Sequence, residues 1–97
     1  MIYCFDLDGT LCTNTDGKYK EAATFQDRID IVNELYEKGN TIIIDTARGC
    51  TTGKDWSGFT INQLAEWGVK YSTLYTGTKV HADIYVDDKA ISDSEFF

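Results

Sequence analysis

Ile2-Tyr3-Cys4-Phe5-Asp6-Leu7-Asp8-Gly9-Thr10-Leu11 is the stretch on which the reading of this chain turns. Ile2, Tyr3, Cys4 and Phe5 form a short apolar run that stops at a carboxylate, the pattern of a buried strand. Asp6 and Asp8 then flank a single leucine, and Gly9-Thr10 come next as a turn. Alone, an Asp-x-Asp is most often a turn or a helix cap. Its weight here depends on what the rest of the chain brings to it.

Working outward, residues 13–20 are polar and contain Gly17, which predicts a loop or small hairpin. From Thr24 the period changes. Phe25, Ile29, Val32 and Tyr36 fall on one face of a helix, Thr24 is placed to cap it, Asp27 suits its first turn, and Lys38-Gly39 end it. Residues 41–44 are β-branched throughout and stop at Asp45, a second buried strand. A loop over 46–57 leads to a helix over 59–67 with Ile61, Leu64 and Trp67 on one side. A third strand is expected at 72–75 and a fourth at 84–86, running into Asp87-Asp88; residues 92–97 carry no pattern. Strands alternating with helices predict an α/β fold, a Rossmann-like three-layer sandwich with a mostly parallel sheet. Its 97 residues suit one domain over 1–97.

The formal net charge of −7 disfavours nucleic acid and anionic membranes as partners, because affinity for both rests on Lys and Arg. Three cysteines (Cys4, Cys12, Cys50) and one histidine (His81) lack the spacing of a zinc site, and reduced thiols suit a cytoplasmic location. No signal peptide or membrane span is expected.

In a parallel sheet ligands bind beyond the carboxyl ends of the strands. That rule selects Asp6 and Asp8, Thr46 and Arg48, and Asp87 and Asp88. Four clustered carboxylates raise one another's pKa unless a cation intervenes, and oxygen ligands without nearby His or Cys favour Mg2+. A carboxylate is also a competent nucleophile toward phosphorus. Thr46 can donate to a phosphoryl oxygen, and Lys79 supplies a fixed positive charge.

Phe5-Asp6-Leu7-Asp8-Gly9-Thr10-Leu11 resembles the first motif of the haloacid dehalogenase (HAD) superfamily. Thr46, Lys79 and Ile84-Tyr85-Val86-Asp87-Asp88 look like its second, third and fourth motifs. Thr46-Ala47-Arg48-Gly49, Trp67-Gly68 and the run from Asp83 through Ile91 also resemble short HAD phosphatases of capsular polysaccharide synthesis. The resemblance implies a phosphoric monoester hydrolase working through an aspartyl-phosphate. Asp6 would be the nucleophile and Asp8 the general acid–base. Mg2+ would bind the Asp6 carboxylate, the Asp8 backbone carbonyl and Asp88, with Asp87 acting through water. Thr46, Lys79 and Arg48 would meet the phosphate or the substrate. Residues 11–45 and 49–79 are filled by core elements, so no cap domain is expected. An open site of that kind leaves closure to partner chains in a homo-oligomer or to the substrate, for which a phosphorylated sugar is the expectation.

Other readings compete. A phosphotransferase or phosphomutase on the same scaffold would need water excluded, which normally takes a cap. A receiver-like phospho-Asp module shares the residue types, but receivers put the acidic pair first and the phosphorylated Asp in mid-chain; here the order is reversed. A non-catalytic binding module would have no use for the full set of catalytic groups. The run from Gly49 to Asp55 suggests a P-loop but is one residue short and ends in Asp55 where a hydroxyl should hold the metal. Cys50 as a nucleophile lacks an evident base. Trp56 could stack on a pyranose or pack inward, and Phe59 reads as core.

Overall fold

The computed structural model describes residues 1–49, 54–80 and 82–97. Three strands, β1 (Ile2–Phe5), β2 (Thr41–Thr46) and β3 (Thr73–Thr76), form an all-parallel sheet in the order β1-β2-β3. Helix α1 (Gln26–Glu37) connects β1 to β2, and α2 (Ser57–Glu66) connects β2 to β3. Parallel neighbours require such crossovers, since a tight turn can only reverse the chain. A short helix, α3 (Asp93–Phe96), lies near the C-terminus. The register pairs Phe5 with Ile44 and Thr46 with Thr76, so the three strands end together and the residues beyond their carboxyl ends share one edge.

Phe5, Leu7, Leu11, Cys12, Ile29, Val32, Ile42, Ile44, Leu64 and Val69 make one core. Ile42 and Ile44 alternate with half-buried neighbours along β2, and Ile29 and Val32 are the buried face of α1. Tyr36, expected on that face, is exposed, and Leu35 packs against the core in its place. Thr24 does not cap α1. The cap position falls on Phe25, and the backbone of Thr24 bridges to Cys12, which closes a small antiparallel stub around residues 13–23. Gly39 ends α1 at φ +92°, a conformation open to glycine at little cost.

Two further expectations are overturned. The buried face of α2 is Thr60, Gln63 and Leu64, while Ile61 is 48% exposed. Residues 84–86 form no strand, and Ile84 and Val86 are 79% and 95% exposed. β-propensity expresses fit to a neighbouring surface, so three residues without a paired edge gain nothing from it. Asp87 instead accepts a hydrogen bond from the Lys89 backbone N–H (2.7 Å), a local turn. The tail, patternless in sequence, has a place. Phe96 and Phe97 pack on Phe5, and Phe96 on Tyr3. No helix among the described residues is long and apolar enough to cross a membrane.

Candidate active site

The site begins with the alternation at the end of β1. Leu7 is fully buried, and its neighbours Asp6 and Asp8 are half-buried on the opposite side. Beyond Leu7 the chain folds tightly around that residue's carbonyl, which accepts from the N–H groups of Thr10 (3.1 Å), Leu11 (2.8 Å) and Cys12 (3.3 Å). The turn needs Gly9 at φ +87°, where a side chain would be strained. Arg28 braces it by donating to the Thr10 carbonyl (3.1 Å) and pairing with Asp93 (2.6 Å), its guanidinium lying over the Phe25 and Phe97 rings.

Asp6 accepts from the Lys79 ammonium at one carboxylate oxygen (3.1 Å) and from the Thr10 hydroxyl at the other (3.1 Å). Burial pulls the Lys79 pKa down, but the Asp6 charge and hydrogen bond, then Asp45 and Tyr85, outweigh it and hold the amine above the ordinary lysine value. Lys79 is therefore a permanent cation beside Asp6. Thr46, buried at the end of β2, accepts from the Arg48 backbone N–H (3.3 Å) and keeps its own proton to donate.

Asp8 meets Arg48 side-on. Oδ2 accepts from Nε (2.9 Å) and Oδ1 from Nη2 (2.8 Å). Arg48 is 1% exposed; its Nη1 donates to Thr60 (3.2 Å) and Gln63 (2.7 Å), and the Tyr19 ring stacks on it at 4.3 Å. The expectation that Arg48 reaches substrate or phosphate is thus corrected: the guanidinium faces inward and is spent on Asp8 and α2. This also explains the polar face of α2, because a buried cation needs acceptors. The Cys12 thiol donates to Asp8 Oδ1 (3.5 Å); burial, with the Asp8 charge, pushes its pKa up to about 12.

Asp87 and Asp88 do not join this group. Both are exposed, and Asp87 is held below the usual carboxylate range by the Lys89 backbone and the Asp88 side chain. Among the described residues no three His, Cys, Asp or Glu side chains converge on a point where a metal could sit. Asp87 and Asp88 follow residues 84–86, which form no strand and lie exposed.

Trp56 lies edge-on to Tyr19 (4.7 Å) and Phe59 (5.4 Å), with the Lys54 ammonium over its ring at 4.4 Å. That ring is packed against its own chain, and Lys54 is directed at the indole. Asp55 accepts from the Ser57 N–H and hydroxyl and so turns the chain into α2. Cys50, Thr51, Thr52 and His81 lie outside the described residues. A depression of about 310 Å3 between Lys20 and α2, lined by Phe59, Asn62, Gln63 and Glu66, touches neither Asp6 nor Asp8. Thr10, Arg28, Thr60 and Gln63 contribute without being selected from the sequence. Thr10 is visible there as the hydroxyl of the Gly-Thr turn; Arg28 has no signal, since its partners lie far away in the chain.

No family model and no curated protein matches the chain. Among solved structures it is similar to the crystal structure of a target protein from Vibrio cholerae, with 28% identity and a TM-score of 0.86 over 98% of this chain and 85% of that one. The likeness extends the α/β architecture to a second protein and brings no activity with it.

Proposed function

We propose that the chain is a capless HAD-type phosphatase, a phosphomonoester hydrolase acting through an aspartyl-phosphate. The observation that carries the reading is the pair at the end of β1: Asp6 and Asp8 on either side of buried Leu7, with the Lys79 cation on Asp6. An Asp6 oxygen attacks phosphorus, the bond to the leaving oxygen breaks, and Asp8 gives that oxygen a proton. Water then passes a proton to Asp8 and attacks phosphorus. The Asp6–phosphorus bond breaks, phosphate leaves, and both aspartates return to their starting forms. Lys79 offsets charge at Asp6, and the Thr46 hydroxyl donates to a phosphoryl oxygen.

Mg2+ is the expected cofactor. The Asp6 carboxylate, the Asp8 carbonyl and Asp88 would hold it, with Asp87 acting through water, and it would offset negative charge on the phosphoryl group. The substrate proposed is a phosphorylated sugar. Its supports are the resemblance of the 46–49 and 83–91 segments to capsule-linked phosphatases and a charge of −7 that ill suits a nucleic-acid end. The packing of Trp56 against Tyr19 and Phe59 lends no weight to a stacking role for that residue.

The test is phosphate release, with magnesium present, from sugar phosphates, nucleotides and phosphopeptides. Release from sugar phosphates with the highest specificity constant is expected. A tenfold preference for nucleotides or phosphopeptides would overturn the substrate class, and no release from any compound would overturn the activity.

A further inference from the structure

We infer that Arg48 is a positioning residue that fixes the plane of the Asp8 carboxylate and restricts its proton transfer to one oxygen, Oδ2. The inference deepens the phosphatase reading and rests on it.

An ionised carboxylate offers about four lone-pair positions, two on each oxygen. At Asp8, Oδ1 accepts from Arg48 Nη2 (2.8 Å) and faces the Cys12 thiol (3.5 Å); the thiol's other acceptor, the Leu7 carbonyl (3.7 Å), already takes three backbone N–H groups, which leaves the thiol proton to Oδ1 and fills both of its positions. Oδ2 accepts from Arg48 Nε (2.9 Å) and keeps one. Two parallel N–H donors hold the carboxylate coplanar with the guanidinium, a constraint that a single donor does not impose.

The guanidinium cannot follow Asp8 if Asp8 rotates. Thr60 and Gln63 on α2 hold Nη1, the Tyr19 ring covers one face, and the side chain is excluded from solvent. Gln63 is itself anchored, donating to the Tyr19 carbonyl at 2.8 Å. Asp8 keeps 16% side-chain exposure. The open position on Oδ2 thus exchanges the proton with the leaving oxygen and later with water. Arg48 transfers no proton itself; it acts through Asp8, holding Oδ2 from one side by Nε at 2.9 Å.

The experiment pairs NMR with kinetics on the full-length protein. The Arg48 Nε–H resonance should be protected from exchange and should move in Asp8→Asn. Arg48→Lys keeps the charge and loses the fork; Thr60→Val leaves the fork and removes one anchor, and serves if Arg48→Lys does not fold. On an alkyl phosphate Arg48→Lys should lower kcat by ~10²-fold with KM changed less than about twofold, the scale of a misplaced catalytic group. On an aryl phosphate, whose leaving oxygen hardly needs a proton, the loss should be roughly tenfold smaller. Thr60→Val should show the same split with a smaller loss. Added to Asp8→Asn, Arg48→Lys should cost less than about a further twofold, because residues acting as a unit are non-additive.

Equal losses on both phosphates, or losses that multiply in the double variant, would overturn the positioning role. A raised KM with kcat unchanged would make Arg48 a substrate ligand instead. An exchange-labile Nε–H in the wild type would overturn the pair itself. A wild type that keeps the protected Nε–H yet hydrolyses no phosphoester would overturn the phosphatase reading, and the positioning role of Arg48 with it.

Discussion

Asp6 and Cys12 show how far a side chain's surroundings set its chemistry. Two donors, Lys79 and Thr10, hold the oxygens of Asp6, which in the proposed reaction attacks phosphorus. Asp6→Asn keeps the shape and removes the nucleophile, so turnover should fall by at least ~10³-fold while thermal unfolding stays near wild type. Phosphate release within tenfold of wild type would refute the assignment. Cys12 is the converse case, a thiol kept from acting. Its folded pKa of about 12 lies above the ordinary 9.0, so the folded state holds its proton where the unfolded state has lost it. Stability from this group is therefore intact below pH 9 and falls as pH rises from 9 toward 12. Between pH 9 and 10 the wild type should lose stability more steeply than Cys12→Ala, the difference approaching ~1.4 kcal/mol per pH unit, one proton's worth. Parallel slopes in urea titrations across that range would refute it.

At the scale of elements, the end of β1 and the start of the loop after β2 are built on positions that tolerate little change. Leu7 is 0% exposed and joins the core directly beneath the two aspartates. Leu7→Ala should cost about 2–5 kcal/mol, the range for deleting a buried leucine, read as a lowered midpoint in chemical denaturation. Gly49 sits at φ +86°, and a Cβ there would run into the Lys54 backbone carbonyl. Gly49→Ala therefore combines a left-handed strain with a backbone clash and should destabilise by more than the ~1 kcal/mol of an ordinary glycine replacement. A midpoint equal to wild type would show that the loop can shift to relieve the contact. Helix α2 makes a different point. Its buried Thr60 and Gln63 break the apolar stripe and look like surface residues in sequence, yet they are where Arg48 Nη1 finds its acceptors.

For the molecule as a whole, the acidic balance and the dispersed carboxylates bear on the cation. On the phosphatase proposal, a chain of net charge −7 acting on a phosphorylated substrate would need positive charge beyond Lys79. Chelation should abolish turnover and added magnesium restore it. Asp88→Ala should weaken magnesium binding more than Asp87→Ala, as expected of a direct against a water-mediated ligand. Full activity after chelation would remove the metal from the proposal, and the reverse order of the two variants would exchange their roles.

The sequence by itself determined what depends on near neighbours. The apolar runs of β1 and β2, the helix that Gly39 closes, and the Asp-x-Asp turn over a buried leucine are local patterns. Periodicity and turn chemistry act within a few residues and are legible there. Only the tertiary structure decided what depends on distant partners. Residues 84–86 have strand composition, but a strand needs an edge, and here they lie exposed with Asp87 and Asp88 apart from Asp6 and Asp8. Phe96 and Phe97 have no pattern, yet they pack on Phe5. Arg48, which the chain order offers to a phosphate, is turned inward by Asp8, Thr60 and Gln63. A buried charge goes where its hydrogen-bonding partners are, and those partners are chosen by packing across 12 to 40 positions of chain, a distance over which sequence pattern carries no signal.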